Sequence, residues 1–214
     1  MPPATRPGVA DTTGDGLPAG VYTDAGGLGA ITFRRRLISR DGRMDETYRV
    51  RTATVDDIPV LVGYRRAMFE SMGIQPSRSD ETALEAASEA MSAYLSQAMP
   101  RGEYGGWVAV AAEDIIASGG LVIHQLPPSP RNVDGREGYI LNIYTVPSWR
   151  RRGVARAIMC AILDYVRERS IAVATLHATP DGRPLYEAFG FQSTNEMRLI
   201  MRDLRLPSRS NCHL

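Results

Sequence analysis

A chain of 214 residues with 43% hydrophobic content suffices for one domain with a true core and a flanking segment. Its 25 Lys and Arg stand against 24 Asp and Glu, and a net charge of +1 excludes a general pull toward nucleic acid or anionic membranes, so any role of the arginines is local. Two cysteines, Cys160 and Cys212, give no disulfide framework, and no run of about 18 apolar residues is present to span a bilayer.

Residues 1–45 open with "MPPATRPGVADTTGDGLPAG", rich in Pro, Gly, Thr and Asp and without apolar periodicity. Such a segment buries too little surface to offset the entropy of ordering it, so it is expected to be disordered apart from a short strand around "AITFRRRLI". Its "FRRRL" is the one candidate nucleic-acid contact, and the near-zero net charge and lack of interleaved aromatics weigh against it. With no basic segment followed by an apolar one at the start, the expected location is cytoplasmic.

Regular patterning begins at Tyr48. "TYRVRTAT" alternates Tyr48 and Val50 with Arg49 and Arg51, the period of a half-buried strand. Thr54 and Asp57 have the spacing of a capping box ahead of a helix whose apolar positions are Ile58, Leu61, Val62, Met68, Phe69 and Met72. A second helix is predicted from Ser79 or Asp80, through Leu84, Ala87, Met91, Tyr94 and Leu95, to a stop at Pro100. "GGWVAVAAE" and "IIASGGLVIHQL" read as a hairpin turning at Glu113 and Asp114, with a bulge expected at Gly119 and Gly120. The stiff "PPSPRN" leads to a strand, "GYILNIYTV". A helix over 153–168 carries Val154, Ile158, Ile162 and Val166 on one stripe and includes Cys160 as a small buried hydrophobe. "IAVATLHA" is a short strand, "RPLYEAFG" a short helix, and "EMRLIMRDL", with Met197, Leu199 and Met201 alternating, a closing strand. Trp107 is expected on a sheet face and Trp149 in a loop.

The order β α α β β β α β α β sets one strand-helix-strand unit inside an otherwise antiparallel arrangement, an α+β fold. That unit contains "NIYTVPSWRRRGVARAI", which puts Arg150, Arg151 and Arg152 at the start of a helix. Helix N-termini disfavour cations and welcome anions. Gly153 lets a bulky anion approach the unpaired N–H groups of the first turn, Ala155 keeps the next position small, and Arg151, Arg152 and Arg156 can close around it. Phosphate or pyrophosphate is the expected ligand. Neither a Walker loop nor the three-glycine dinucleotide fingerprint fits, because no lysine follows Gly153 and the other glycines are missing.

Arg150, Gly153 and Ala155 match Arg/Gln-x-x-Gly-x-Gly/Ala, and the stretch resembles the pyrophosphate signature of the GNAT superfamily of N-acyltransferases. The similarity covers about residues 46–204 and includes the "NIYTVP" strand, the helix after it and "LYEAFGF", which resembles the family's Tyr-x-x-x-Gly-Phe ending. It implies a GNAT fold: a mixed, mostly antiparallel sheet flanked by helices, whose parallel fourth and fifth strands splay apart. It also implies acetyl-CoA as co-substrate and an N-acetyltransferase acting on a primary amine of a small molecule or peptide. Carried over residue by residue, Ile143, Tyr144 and Thr145 lie along the pantetheine, and Arg151, Arg152, Gly153, Val154, Ala155 and Arg156 surround the pyrophosphate. Tyr186 matches the tyrosine that protonates the departing thiolate, a role open to a phenol whose ordinary pKa is about 10.

The general base is left among Glu113, His124, Asn142 acting through water, and His177, with Asn142 first and His177 second. The acceptor pocket is expected from the first two helices and the loop after the third strand, including Met68, Met72, Tyr94, His124 and Pro127. No metal site, nucleic-acid partner or membrane partner is expected, and a homodimer is left open. The alternative function is a non-catalytic acyl-CoA-binding or sensor module. The expected domains are an extension over 1–45, the acyltransferase over 46–204 and a tail over 205–214.

Overall fold

The structure, a computed structural model, describes residues 21–22, 31–32, 47–72 and 78–199. They fall into two compact units, one ending at His177 and one beginning at Ala178.

In the first unit, β1 (Val21–Tyr22), β2 (Ile31–Thr32), β3 (Arg49–Thr52), β4 (Tyr104–Ala111), β5 (Asp114–Gln125), β6 (Arg136–Thr145) and β7 (Val173–Leu176) form one sheet in chain order. Every neighbouring pair is antiparallel except β6 and β7. The β6 and β7 pair, joined through α3 (Val154–Glu168), is the parallel pair expected as the fourth and fifth strands of the family. Strand β2 lies inside "AITFRRRLI", while β1 belongs to the stretch expected to be disordered. The rest of residues 1–46, with the "FRRRL" arginines, and everything from residue 200 on, with Cys212 and the tail, lie outside the described residues.

Alternation along the central strands distributes the core. Tyr104, Val108 and Val110 pack with Ile58 and Leu61 of α1 (Ile58–Ser71) and Leu95 and Ala98 of α2 (Arg78–Ala98). Trp107, on the opposite face of β4, meets Tyr165 of α3 edge to face at 5.2 Å. The stripe of α3 is buried as its spacing predicts, with Val154, Ile158, Ile162 and Val166 at 7% exposure or less. Burying such a side chain contributes about 1.5–3 kcal/mol. Cys160 is only half-buried, and burial raises its thiol above the ordinary value, which makes it a poor nucleophile. A 3-10 turn, Val55–Asp57, opens α1, and the Thr54 N–H donates to the Asp57 carboxylate at 2.7 Å. Asp57 also receives both ends of the Arg51 guanidinium at 2.7 and 2.9 Å, which tethers the helix start to β3. The Arg51 bond above all holds the Asp57 carboxyl below its usual range.

In the second unit, α4 (Arg183–Glu187) starts with Pro184 in its first turn. The closing strand expected from "EMRLIMRDL" is corrected over the residues that are described. Residues 191–199 form no strand, and Met197 and Leu199 are 95% and 63% exposed, so the alternation there buries neither side chain.

Candidate active site

Strand β6 ends at Thr145, a 3-10 turn over Pro147–Trp149 follows, and α3 begins after four more residues. Gly153 is the N-cap of α3 with φ 81°, a left-handed conformation that costs an L side chain about 1–2 kcal/mol. Arg151 adopts the left-handed region too, with φ 63°. Turns of this kind aim successive N–H groups into a common concavity that suits an anion. The hydrogen-bond ladder of α3 starts with the Ala157 N–H on the Gly153 carbonyl at 3.1 Å, so the N–H groups of Val154 and Ala155 project from the helix end.

The arginines are sorted by their contacts. Arg150, the motif's first position, turns back and donates from Nε to the Thr145 carbonyl at 3.1 Å, its guanidinium 5.8 Å from the Tyr144 ring. Arg152 stacks over Trp149 at 5.2 Å, and Trp149 in turn meets Tyr48 edge to face. Arg151 is exposed and Arg156 half-buried in the first turn of α3.

The splay is visible in the strand register. Strand β7 pairs with Glu137 through Ile140 and stops at Leu176, so on that side β6 has no strand neighbour from Leu141 to Thr145 among the described residues. The Thr145 hydroxyl oxygen is buried without a hydrogen-bond partner. An open strand edge that runs toward a helix N-terminus fits a long polar chain ending in phosphates.

The bulge expected at Gly119 and Gly120 lies instead on the facing strand. Ser118 pairs with Tyr144 and Gly120 with Leu141, so Gly119 alone opposes Asn142 and Ile143. Asn142 has φ 57°. This extra residue reverses the alternation. Ile143 turns toward α3, where a Cβ added to Gly119 would come within 2.6 Å of Ile143 and 2.5 Å of Ile158. Asn142 and Tyr144 turn toward α1, and the Tyr144 ring lies 5.0 Å from that of Tyr64. Gly119 therefore admits the α3-side chains, and the bulge itself belongs to β6.

Asn142 is 9% exposed and held on several sides. The Arg65 guanidinium of α1 donates to its side-chain oxygen, its amide donates to the Tyr104 hydroxyl at 3.5 Å, and the Ser118 hydroxyl donates to its carbonyl at 3.5 Å. Burial raises the Tyr104 phenol above its ordinary value, so it stays protonated. The Tyr64 hydroxyl donates to the Ile115 carbonyl.

Of the other sequence candidates in this unit, Tyr94 joins the cluster, its ring edge to face with that of Tyr104 at 6.2 Å. His177 follows β7, and its Nδ1 is 2.7 Å from the Tyr139 hydroxyl, while the His124 ring stacks on that of Tyr139 at 5.8 Å. Glu113 is exposed in the β4–β5 turn. Of the acceptor-lining candidates, Met72 and Tyr94 are 48% and 42% exposed, His124 and Pro127 are exposed, and Met68 is half-buried. In the second unit, Tyr186 packs edge to face with Phe191 at 6.2 Å, and burial raises its phenol above the ordinary value.

Comparison with known proteins decides the family. The model of the acetyltransferase (GNAT) family matches residues 68–191, more than half of the chain. The chain belongs to the acetyltransferase (GNAT) family. It is an acyl-CoA-dependent N-acyltransferase. Among solved structures, a GCN5-related N-acetyltransferase from Ralstonia eutropha is 32% identical, with 72% of this chain and 97% of that one covered and a TM-score of 0.64. A predicted acetyltransferase from Clostridium acetobutylicum, solved with acetyl-CoA, is 28% identical, with 75% and 100% covered and a TM-score of 0.68. An acetyl transferase of Pyrococcus furiosus, 20% identical with 72% and 98% covered and a TM-score of 0.57, shares the fold. No curated protein matches significantly. Among the described residues, no helix is long and apolar enough to cross a membrane.

Arg65, Tyr104 and Ser118 are members of the cluster that sequence reasoning passed over. For Arg65 a signal existed. The apolar stripe of α1 runs 58, 61, 62, 68, 69 and 72, and position 65 is its missing member, a charge where the helical period calls for an apolar residue.

Proposed function

We propose that this chain transfers an acetyl group from acetyl-CoA to the primary amine of a small molecule or peptide. The observation that carries this reading is the pair formed by the left-handed Gly153 cap of α3 and the unpaired β6 edge leading to it. In this reading the pyrophosphate sits on the first turn of α3, at Gly153, Val154 and Ala155, with Arg151, Arg152 and Arg156 as counter-charges. Arg150 serves the site indirectly, because its guanidinium is tied to the Thr145 carbonyl. The pantetheine runs along Thr145, Tyr144 and Ile143, which brings the thioester to Asn142, one residue short of the end of the free edge.

The amine nitrogen attacks the thioester carbon, and the tetrahedral intermediate collapses as the carbon–sulfur bond breaks. A water held at Asn142 takes the proton that the amine sheds, and His177 is the second candidate for that role. Tyr186 gives its phenolic proton to the thiolate, and its burial favours the protonated form that the step needs. The acyltransferase domain in this reading is 46–204, between an extension over 1–45 and a tail over 205–214.

The test is a screen of amines, aminoglycosides and peptide N-termini for acetyl-CoA-dependent mass gain, read beside thermal stabilisation by acetyl-CoA. Mass gain of 42 Da, about one acetyl group, on an amine supports the reading. Stabilisation without turnover across the panel favours the binding-module alternative.

A further inference from the structure

Helix α1 carries two adjacent arginines with opposite surroundings. Arg66 is neutralised by Glu70 at 3.0 Å and by Glu81 of α2. Arg65 has no carboxylate partner among the described residues; its guanidinium lies 4.8 Å from the Phe69 ring and donates to the neutral side-chain oxygen of Asn142. A half-buried cation on the inner stripe of a helix, balanced by neutral groups, is costly for stability unless an anion meets it.

The position of Arg65 says where that anion comes from. With Val62, Phe69, Leu84, Ser88 and Met91 it lines the groove between α1 and α2, and it also reaches Asn142 near the closed end of the β6 edge. Its five N–H donors exceed what one amide oxygen accepts, so the planar fork retains capacity for a second acceptor. We infer that the acceptor is an amine bearing a carboxylate a few bonds from its nitrogen, an amino-acid-like molecule, and that Arg65 binds that carboxylate. This deepens the proposed function and rests on its placement of the thioester at Asn142.

The assignment makes chemical sense of both ends of the acceptor. The carboxylate supplies the missing negative charge and can accept two parallel N–H bonds from Arg65. With Arg65 neutralised by the carboxylate, deprotonation of the amine falls to the water at Asn142. A simple cationic amine would bring a second positive charge to Arg65 without compensation. Arg66 also lines the groove, but its charge is taken up by Glu70 and Glu81, so Arg65 is left to offer one positive charge, which a monoanionic carboxylate matches better than a dianionic phosphate.

The experiment measures kcat/KM at saturating acetyl-CoA for the α-amino acids, β-alanine, their carboxamides, the corresponding amines without the carboxyl group, and O-phosphoethanolamine. For the best acid, kcat/KM is expected to exceed that of its carboxamide roughly 10- to 100-fold, the worth of hydrogen bonds to a charged group. Arg65→Gln should erase that ratio by raising KM for the acid. Arg65→Lys, which keeps the charge and loses the fork, should retain part of it. A purely structural Arg65 would lower turnover of acid and carboxamide alike. Carboxamides or simple amines acetylated as well as acids, a preference that survives Arg65→Gln, preference for the phosphoamine, or turnover of none of the acids each overturns the inference. Thermal stabilisation of the wild type by acetyl-CoA is read on the same samples, and its absence overturns the donor reading itself.

Discussion

The Tyr104 hydroxyl occupies the space that a side chain at Gly120 would fill, on the neighbouring strand of the sheet. That hydroxyl is also the group to which the Asn142 amide donates at 3.5 Å. A methyl at position 120 would overlap it and come within 2.6 Å of the ring carbon that bears it. Tyr104 is 3% exposed and has little room to yield. Gly120→Ala is expected to destabilise the fold by about 1–3 kcal/mol, as overpacking does. Because the displaced ring also holds Asn142, kcat should fall further than acetyl-CoA affinity. Denaturant melts and steady-state kinetics on the same protein check this, and a variant as stable and active as the wild type would show that Tyr104 is not confined.

Gly153→Glu tests the anion site. The substitution forces an L side chain into φ 81° and sets a carboxylate against the proposed pyrophosphate site. Acetyl-CoA at about a hundred times its Kd should stabilise the wild type by about 2.7 kcal/mol, and the variant by nothing measurable. Thermal shift with and without acetyl-CoA gives both values. Equal stabilisation of the two proteins would remove the phosphates from α3.

What could be read from the sequence, and what could not, divides along the range of the forces involved. The α3 stripe, the Thr54 and Asp57 cap and the Arg150, Gly153 and Ala155 signature are local patterns, each set by neighbours within a few residues, and each was legible. The bulge falls on the strand opposite the expected one because glycine is only half of the cause. Gly119 and Gly120 mark where side chains must be absent, whereas the extra residue is the non-glycine Asn142, held in its left-handed conformation by partners 24, 38 and 77 positions away. The closing strand was predicted from alternation in "EMRLIMRDL", and alternation reports a preference that only a facing sheet can satisfy. Arg65 stood in plain view as a break in the stripe of α1, but nothing local says that Asn142 lies across from it.

The pairing of Arg51 and Asp57 predicts an acid-sensitive helix start. Asp57 is 6% exposed, and its carboxyl is held below 3.8 chiefly by the Arg51 hydrogen bonds. A depressed carboxyl stabilises the fold fully above its unfolded pKa, and that contribution is lost as pH falls through the lower folded value. Asp57→Ala also leaves the Thr54 N–H without its acceptor and Arg51 without its counter-charge. A loss of about 2–3 kcal/mol at neutral pH is expected, below the range for fully buried pairs because the Arg51 side chain is 28% exposed. Urea melts from pH 7 down to about pH 3 should show the wild-type advantage shrinking only in the acid limb. An advantage that is constant across that range would show that charge is not its source.

Tyr186→Phe isolates the proton donor. The change removes one hydroxyl and keeps the ring that meets Phe191, so α4 and its packing should survive. If the hydroxyl protonates the departing thiolate, kcat should fall on the order of 10²-fold while acetyl-CoA affinity changes little. The pH dependence carries a second signature. Burial disfavours the phenolate and raises the Tyr186 pKa above 10.0, so the acid remains loaded through neutral pH and its loss appears as an alkaline limb beyond that value. In Tyr186→Phe that limb should disappear from the kcat profile wherever chemistry limits turnover. Unchanged kcat would refute the acid role, and a collapsed melting temperature with the residual activity tracking the folded fraction would assign Tyr186 to packing instead.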